Sequence, residues 1–191
     1  MAKELEWKGM VTPAEFDRCL QLLRAHTGTQ GDAYVQVNYY FDTPDFAVAQ
    51  SHSMLRVRRK KNTLRLQFKT KRTRTGGMLL CDESETVLKK LPRSVCPALY
   101  FADAPQGECY LLGDLVTHRT DFAFPGAVVS LDESIYLGKS DYEIEVEGEA
   151  QAIEGVLAFL NPQGESKKGN GKFSRFLKAY RKYTRPETEK E

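Results

Sequence analysis

The sequence predicts an α+β fold in which an antiparallel sheet of about eight strands closes into a barrel with a polar, charged interior, and helices pack outside. Alternating polar and apolar residues recur along much of the 191-residue chain, as in half-buried strands. Two segments instead repeat apolar residues at helical spacing. The linkers are short and no internal repeat is evident. We therefore expect one domain over residues 1–184 and a polar tail over residues 185–191.

The first predicted element is a strand over residues 4–8, whose charged side chains share one face: Glu4, Glu6 and Lys8. A helix follows, because Thr12 and Glu15 form a capping box and Gly28 ends the apolar periodicity. A strand rich in tyrosine and valine covers residues 33–41 and stops at Asp42-Thr43-Pro44.

The middle and the end of the chain alternate in the same way. Residues 55–71 predict a hairpin of two strands that turns at residues 60–63. Further strands are predicted over residues 78–88, 110–122, 128–131 and 142–147. Helices are predicted over residues 92–99 and 150–160. No secondary structure is predicted for the basic segment that begins at Lys172.

Opposite charges nearly cancel, because 28 Lys and Arg residues stand against 26 Asp and Glu residues and leave a net charge of +2. This balance argues against nucleic acid as a partner. No apolar run approaches the roughly 18 residues of a membrane span, and the first residues lack a signal core. The cysteines have no spacing typical of zinc or disulfide frameworks: Cys19, Cys81, Cys96 and Cys109. We therefore expect a cytoplasmic protein that binds no membrane; its oligomeric state is not indicated.

The charges are strongly sorted along the chain. Residues 56–74 contain ten Lys or Arg and no acid, whereas residues 141–149 contain five acids and no base. A half-solvated sheet usually mixes the two signs, because opposite cross-strand pairs are favourable and like pairs are not. If the apolar strand faces lie beneath the helices, the charged faces line the barrel interior. Such an interior needs ligands to neutralise it.

Two kinds of ligand group follow from this sorting. Hard carboxylate oxygens suit Mg²⁺ or Mn²⁺, and the candidates are Glu4, Glu6, Glu143, Glu145, Asp132, Glu83 and Glu85. Cationic donors match phosphate oxygens, and the candidates are Lys8, Arg56, Arg58, Lys69, Lys71 and Arg119. A small polyphosphate bridged by a divalent cation satisfies both sets, whereas nucleic acid would be repelled by the carboxylates. Arg59 and His118 have the opposite parity and are expected to point outward.

The order of short motifs resembles that of the CYTH superfamily, the triphosphate tunnel metalloenzymes. Glu4-Leu5-Glu6-Trp7-Lys8 resembles the family's N-terminal ExExK signature. Later landmarks follow in family order: Tyr39 to Thr43, Leu55 to Arg58, Leu66 to Lys69, Glu83 with Glu85, Arg119, Asp132, Glu143 to Glu145, and Lys172 with Arg175. The resemblance spans about residues 4–177 and implies an eight-stranded antiparallel tunnel with acidic and basic side chains pointing inward.

The resemblance also implies roles for these residues. Metal would be bound by Glu4, Glu6, Glu143 and Glu145, joined by Asp132, Glu83 and Glu85, although the weak alternation leaves open whether Glu83 and Glu85 point inward. Phosphates would be bound by Lys8, Arg56, Arg58, Lys69, Lys71, Arg119, Lys172 and Arg175. Catalysis would involve Glu4, Glu6, Lys8 and Lys69. The position of Lys69 among other cations, and not the resemblance, makes it a candidate proton acceptor.

The function expected from these roles is metal-dependent hydrolysis of a triphosphate, with inorganic tripolyphosphate or another small triphosphate as substrate. Two alternatives stay open. A class IV adenylate cyclase would share the tunnel and the metal but convert ATP to cyclic AMP. A binding module would hold polyphosphate or a nucleotide without turnover.

Overall fold

The computed structural model describes the backbone of residues 5–75, 78–162 and 171–184, and the side chains of those residues outside 71–82. The strands are β1 Leu5–Val11, β2 Asp32–Asp42, β3 Ser53–Lys60, β4 Thr63–Thr75, β5 Met78–Leu88, β6 Ser94–Val95, β7 Cys109–Phe124, β8 Ala127–Tyr136 and β9 Lys139–Gly148. The helices are α1 Pro13–Thr27, α2 Ala47–Gln50, α3 Ala150–Leu160 and α4 Lys172–Tyr183, with a 3₁₀ helix at Pro97–Leu99.

The strands form one sheet in the order β1-β9-β8-β7-β2-β3-β4-β5, and the short β6 pairs with β7. The pairs β1–β9, β8–β9, β2–β3, β3–β4, β4–β5 and β6–β7 are antiparallel. The predicted antiparallel α+β class is thus confirmed. The strand order ends at β1 and β5, and within the described residues no pairing joins these two strands. A closed barrel is therefore not confirmed.

The chain divides into two compact units. The first unit comprises Met1–Val35 and Thr117–Arg175, and the second comprises Gln36–Val116 and Phe176–Glu191. The prediction of one domain over residues 1–184 stays a prediction. Among the described residues, no helix is long and apolar enough to span a bilayer.

In the first unit, one face of the sheet is apolar and is covered by two helices. Leu131 and Ile144 are cross-strand neighbours on β8 and β9, and both are fully buried. They belong to one core with Leu23 of α1 and Leu160 of α3. Because side chains alternate across a strand, the acidic residues of β9 lie on the opposite face of the sheet.

Helix α1 begins and is anchored through specific polar contacts. Thr12 caps it by accepting a hydrogen bond from the Glu15 backbone amide at 3.2 Å, as the capping box predicts. Arg18 pairs with Glu15 at 2.6 Å and donates to the carbonyl of Leu160 at 2.7 Å. The end of α3 is therefore tied to α1.

In the second unit, alternation again separates an apolar face from a charged one. Leu55 and Phe68 are cross-strand neighbours on β3 and β4 and pack in a core with Val95 and Phe101. The intervening residues of these strands, Arg56 among them, lie on the opposite face.

The Asp42-Thr43 pair of the predicted motif shapes the loop that follows β2. The buried Asp42 carboxylate accepts hydrogen bonds from the backbone amides of Thr43 at 2.8 Å, Val48 at 2.9 Å and Ala49 at 3.0 Å. Asp42 thus satisfies the amides at the start of α2, a single helical turn.

The sequence prediction was wrong in two places. No helix covers residues 92–99, where β6 and the 3₁₀ helix lie instead. Cys96 is extended because the proline at position 97 disfavours a helical conformation in the residue before it. Conversely, α4 was not predicted, although its apolar residues recur at helical spacing: Phe173, Phe176, Leu177 and Tyr180.

Candidate active site

Four carboxylates share the charged face of β8 and β9 in the first unit, and we call them the carboxylate cluster: Asp132, Asp141, Glu143 and Glu145. The register pairs Asp132 with Glu143 across the two strands, which brings their side chains together. Asp132 is fully buried, and Glu143 and Glu145 are nearly so. Carboxylates at such depth require compensating charge.

Lys172 provides much of that charge. Its Nζ lies 2.7 Å from Asp132 Oδ2, 3.0 Å from Glu143 Oε2 and 2.6 Å from Glu145 Oε1. Burial disfavours the ammonium, but the surrounding carboxylates outweigh burial and raise the pKa of Lys172. One nitrogen atom therefore stands where three carboxylate oxygens converge.

Arg119 of β7 is the second cation of the cluster. Its Nε and Nη2 each donate to Asp132 at 2.6 Å, and Nη2 also donates to Glu145 at 2.5 Å. Burial opposes ionisation of Glu145, but the charges of Lys172, Lys8 and Arg119 prevail and hold the pKa of this carboxyl well below its usual range. The Glu145 carboxylate thus stays ionised.

Arg175 connects the remaining members of the cluster. It donates through Nε to Asp141 Oδ2 at 2.8 Å and through Nη2 to Glu143 Oε2 at 2.8 Å. Tyr136 donates to the same Asp141 oxygen at 2.5 Å, and burial together with Asp141 raises the pKa of its hydroxyl. Asp141 and Tyr136 were not proposed from the sequence. Asp141 could have been, because it lies two residues before Glu143 and so shares its face.

Strand β1 brings part of the N-terminal motif to this cluster. Lys8 Nζ lies 2.6 Å from Glu6 Oε1 and 3.1 Å from Glu145 Oε1. Burial lowers the pKa of Lys8, but Glu145 and Glu6 outweigh it, so that the pKa is raised overall. Glu6 is more exposed than the cluster carboxylates. Glu4 lies outside the described residues.

The second unit carries a separate group of cations on β3 and β4. Arg56, 6% exposed, donates through Nε to Gln67 Oε1 at 2.7 Å, and its Nη2 lies 3.9 Å from Glu83 Oε1. Burial and then the neighbouring charge of Arg58 lower the pKa of Arg56 to about 10. Lys69 Nζ lies 2.5 Å from Glu83 Oε2. Arg56 is thus a buried cation whose charge is incompletely compensated.

Glu83 and Glu85 lie on the same sheet face as these cations. Whether this face points into a barrel interior stays a prediction. The register opposes Glu83 to Lys69 and Glu85 to Gln67. Glu85 accepts from Gln67 at 2.9 Å and also pairs with Arg65. Both glutamates are therefore partners of basic or amide side chains in the second unit.

The other site predictions have mixed outcomes. Arg58 donates through Nε to Asn38 at 3.0 Å on the charged face. Arg59 is exposed and lies over the Tyr39 ring at 5.9 Å, and His118 is exposed, so that their predicted outward orientation is confirmed. The side chain of Lys71 lies outside the described residues.

The carboxylate cluster fits a divalent cation by its chemistry. Its oxygens are hard donors of the type that Mg²⁺ and Mn²⁺ prefer, and three of them already surround a single cationic atom, Lys172 Nζ. Among the described side chains, no three His, Cys, Asp or Glu residues form a ready metal site. The cations Lys172 and Arg119 stand between the carboxylates instead.

The chain was compared with known proteins. The family model of the CYTH domain matches residues 2–167. The "Putative triphosphatase YjbK" of Bacillus subtilis is 34% identical, over 94% of this chain and 96% of that protein. A Bacillus halodurans structure described as a "putative adenylate cyclase" is 28% identical, with a TM-score of 0.67, over 91% of this chain and 97% of that one. HpAC1 of Hippeastrum, described as having a dominant triphosphatase activity, is 22% identical, with a TM-score of 0.66, over 92% of this chain and 95% of that one. Since the family model spans most of the chain, the protein belongs to the CYTH family.

Proposed function

We propose that this protein is a divalent-metal-dependent triphosphatase that hydrolyses a phosphoanhydride bond of small triphosphates, with inorganic tripolyphosphate foremost. The observation that carries the proposal is the convergence of three buried carboxylates, Asp132, Glu143 and Glu145, on one cation beside Arg119. A metal-bridged polyphosphate needs this combination of hard oxygen ligands and cationic donors. The relationship to YjbK, at 34% identity, supports the same reaction class.

The carboxylates would hold the metal. Asp132, Glu143, Glu145 and the more exposed Glu6 are the described candidates, and the family resemblance adds Glu4. When bound, Mg²⁺ or Mn²⁺ supplies charge neutralisation on phosphate oxygens and acidifies a water molecule. Glu83 and Glu85 are weaker candidates, because their carboxylates already pair with Lys69 and Arg65.

The cations would hold the phosphates. Arg56 is the foremost candidate for anion binding. Burial and the neighbouring charge of Arg58 disfavour its charged form, and an anionic ligand would offset both effects. In the second unit, Arg58 and Lys69 offer further donors, and Lys71 is proposed from its position in β4. In the first unit, the proposed phosphate donors are Lys8, Arg119, Lys172 and Arg175. Lys69 is proposed as a phosphate-binding residue that now pairs with Glu83. The closed tunnel that the family resemblance implies remains part of the proposal.

The test is a panel of tripolyphosphate, thiamine triphosphate and nucleoside triphosphates, each incubated with Mg²⁺, Mn²⁺ or a chelator, with product identification. We expect release of orthophosphate that requires metal. Formation of cyclic AMP from ATP would replace the proposal with the cyclase that the Bacillus halodurans relative's description suggests. Measurable affinity without any product would make the protein a binding module.

A further inference from the structure

We propose that Lys172 couples the binding of metal and triphosphate, so that the protein takes up the two as one metal–triphosphate complex and binds either component weakly alone. The proposal rests on the proposed function, because it concerns the same site. It adds the form in which the substrate is recognised and the residue that determines this form.

Lys172 contacts the carboxylate oxygens that would hold a metal. Its Nζ lies within 3.0 Å of one oxygen each of Asp132, Glu143 and Glu145, and its side chain is 12% exposed. A divalent cation bound to the same oxygens would lie within a few ångströms of this ammonium, in a poorly solvated place where like charges repel strongly. Lys172 must therefore leave the carboxylates before they can bind metal.

Among the described residues, the charges of the site nearly balance. The connected ion pairs of the first unit contain, within those residues, five carboxylates and four cations, a sum of −1: Glu6, Asp132, Asp141, Glu143 and Glu145 with Lys8, Arg119, Lys172 and Arg175. A divalent cation alone would displace the Lys172 ammonium and leave it without its carboxylate partners. A triphosphate that arrives with the metal gives that ammonium new anionic partners.

Lys172 is better suited to this exchange than the two arginines. Arg119 is fixed to Asp132 by two parallel hydrogen bonds, and Arg175 is held by Asp141, which lies outside the group of three carboxylates that Lys172 contacts. Lys172 carries its charge on one atom at the end of a flexible stem, so it can change partners by rotation of its side chain. Because coupling between two ligands is reciprocal, the same exchange makes triphosphate binding depend on metal.

The experiment measures the affinity of Mn²⁺ by electron paramagnetic resonance, with and without a saturating methylene-bridged tripolyphosphate analogue that cannot be hydrolysed. For the wild-type protein we expect the analogue to strengthen Mn²⁺ binding at least about tenfold. In Lys172→Met, Mn²⁺ alone should bind about tenfold more tightly than to the wild type, and the analogue should add little. Lys172→Arg keeps the charge but not the single-atom ammonium, so its coupling should lie between that of the wild type and that of Lys172→Met. Lys178→Met removes an exposed charge from the same helix and should behave like the wild type.

Several results would overturn the proposal. Equal Mn²⁺ affinity of the wild type with and without the analogue would do so, even if Lys172→Met does not fold. Undiminished coupling in a folded Lys172→Met would also contradict it. If Mn²⁺ and the analogue both bind but independently, the coupling fails while the proposed function stands. If neither binds, both fail together.

Discussion

At the residue scale, Arg56 and Glu145 represent two ways of burying a charge. Glu145 is surrounded by Lys172, Lys8 and Arg119, so its ionised form is favoured in the folded protein. Burial and then the charge of Arg58 disfavour the charged form of Arg56, and they outweigh the favourable interactions with Tyr40 and Glu83. The first arrangement stabilises the ligand-free protein, whereas the second is relieved by an anionic ligand.

Substitution of Arg56 should therefore separate activity from stability. We expect Arg56→Met to lower kcat/KM for tripolyphosphate by about 100- to 1,000-fold, as expected for loss of a donor to developing charge. Its melting temperature should not fall, because the substitution removes a poorly compensated buried cation.

Arg59→Met is the matched control for this variant. Arg59 is exposed on the opposite face of the same strand, so its removal should leave kcat/KM unchanged. Equal activity of the two variants would contradict the assignment of Arg56 to phosphate binding. A large loss of stability in Arg56→Met alone would give Arg56 a structural role instead.

The stability of the protein should depend on the ionisation of Glu145. Its pKa is lowered in the folded protein relative to the ordinary value of 4.5, so its ionised form stabilises the fold above that value and this contribution is lost as the pH falls further. Urea denaturation between about pH 5 and pH 3 should give a declining free energy of unfolding, to which one such group adds up to about 1.4 kcal/mol per pH unit.

Glu145→Gln tests which group is responsible. This variant cannot ionise at position 145, so its free energy of unfolding should decline less steeply over the same pH range. Glu154→Gln changes an exposed glutamate of α3 and should keep the wild-type slope. Identical slopes for all three proteins would show that Glu145 does not contribute.

Much of the candidate site could be predicted at this scale because side-chain parity is a local property of strands. The alternation of Glu143 and Glu145 with apolar neighbours, and of Arg56 and Arg58 likewise, is enough to place each pair on one face. Sequence could not reveal that Lys172 contacts three carboxylates, because that contact joins residues 27 to 40 positions apart. The orientation of Glu83 likewise required the register between β4 and β5.

At the element scale, α4 was missed because its periodic apolar residues are interspersed with basic ones and its mean hydropathy is low. Helix α1, in contrast, can be predicted because the sequence marks its ends with an N-cap threonine, a proline in the first turn and a terminal glycine. The segment before α4, residues 163–170, lies outside the described residues. The structural evidence on α4 is therefore its packing, which the next residue illustrates.

Phe176 is the main apolar anchor of α4 in the second unit. It is fully buried, its ring centre lies 4.9 Å from that of Tyr40, and an added Cβ at Gly113 would lie 3.1 Å from its Cζ. Phe176→Ala should lower the free energy of unfolding by about 3–5 kcal/mol, since truncation leaves a cavity. Urea denaturation measures this change.

Tyr183→Ala is the control, at a position 75% exposed in the same helix. It should change the free energy of unfolding by less than about 0.5 kcal/mol. Equal effects of the two substitutions would refute the anchoring role of Phe176.

At the scale of the whole molecule, the antiparallel α+β class follows from alternation, and it is confirmed. Closure of the sheet could not be derived in the same way, because it depends on pairing between strands at opposite ends of the order, which local patterns do not encode. The near-zero net charge also acquires a physical explanation. Opposite charges pair within each unit: Lys172 contacts the carboxylate cluster of the first unit, and Lys69 pairs with Glu83 in the second.

The most direct measurement is hydrolysis of tripolyphosphate in oxygen-18-labelled water, with Mg²⁺ or Mn²⁺ and mass spectrometry of the products. If water attacks a phosphorus of a triphosphate held by this site, one labelled oxygen should appear among the orthophosphate and pyrophosphate formed, and the reaction should stop on metal removal. The Glu145→Gln variant should form product at least about 100-fold more slowly. Absence of product with every triphosphate and either metal, or unlabelled pyrophosphate with cyclic AMP from ATP, would contradict a metal-dependent triphosphatase.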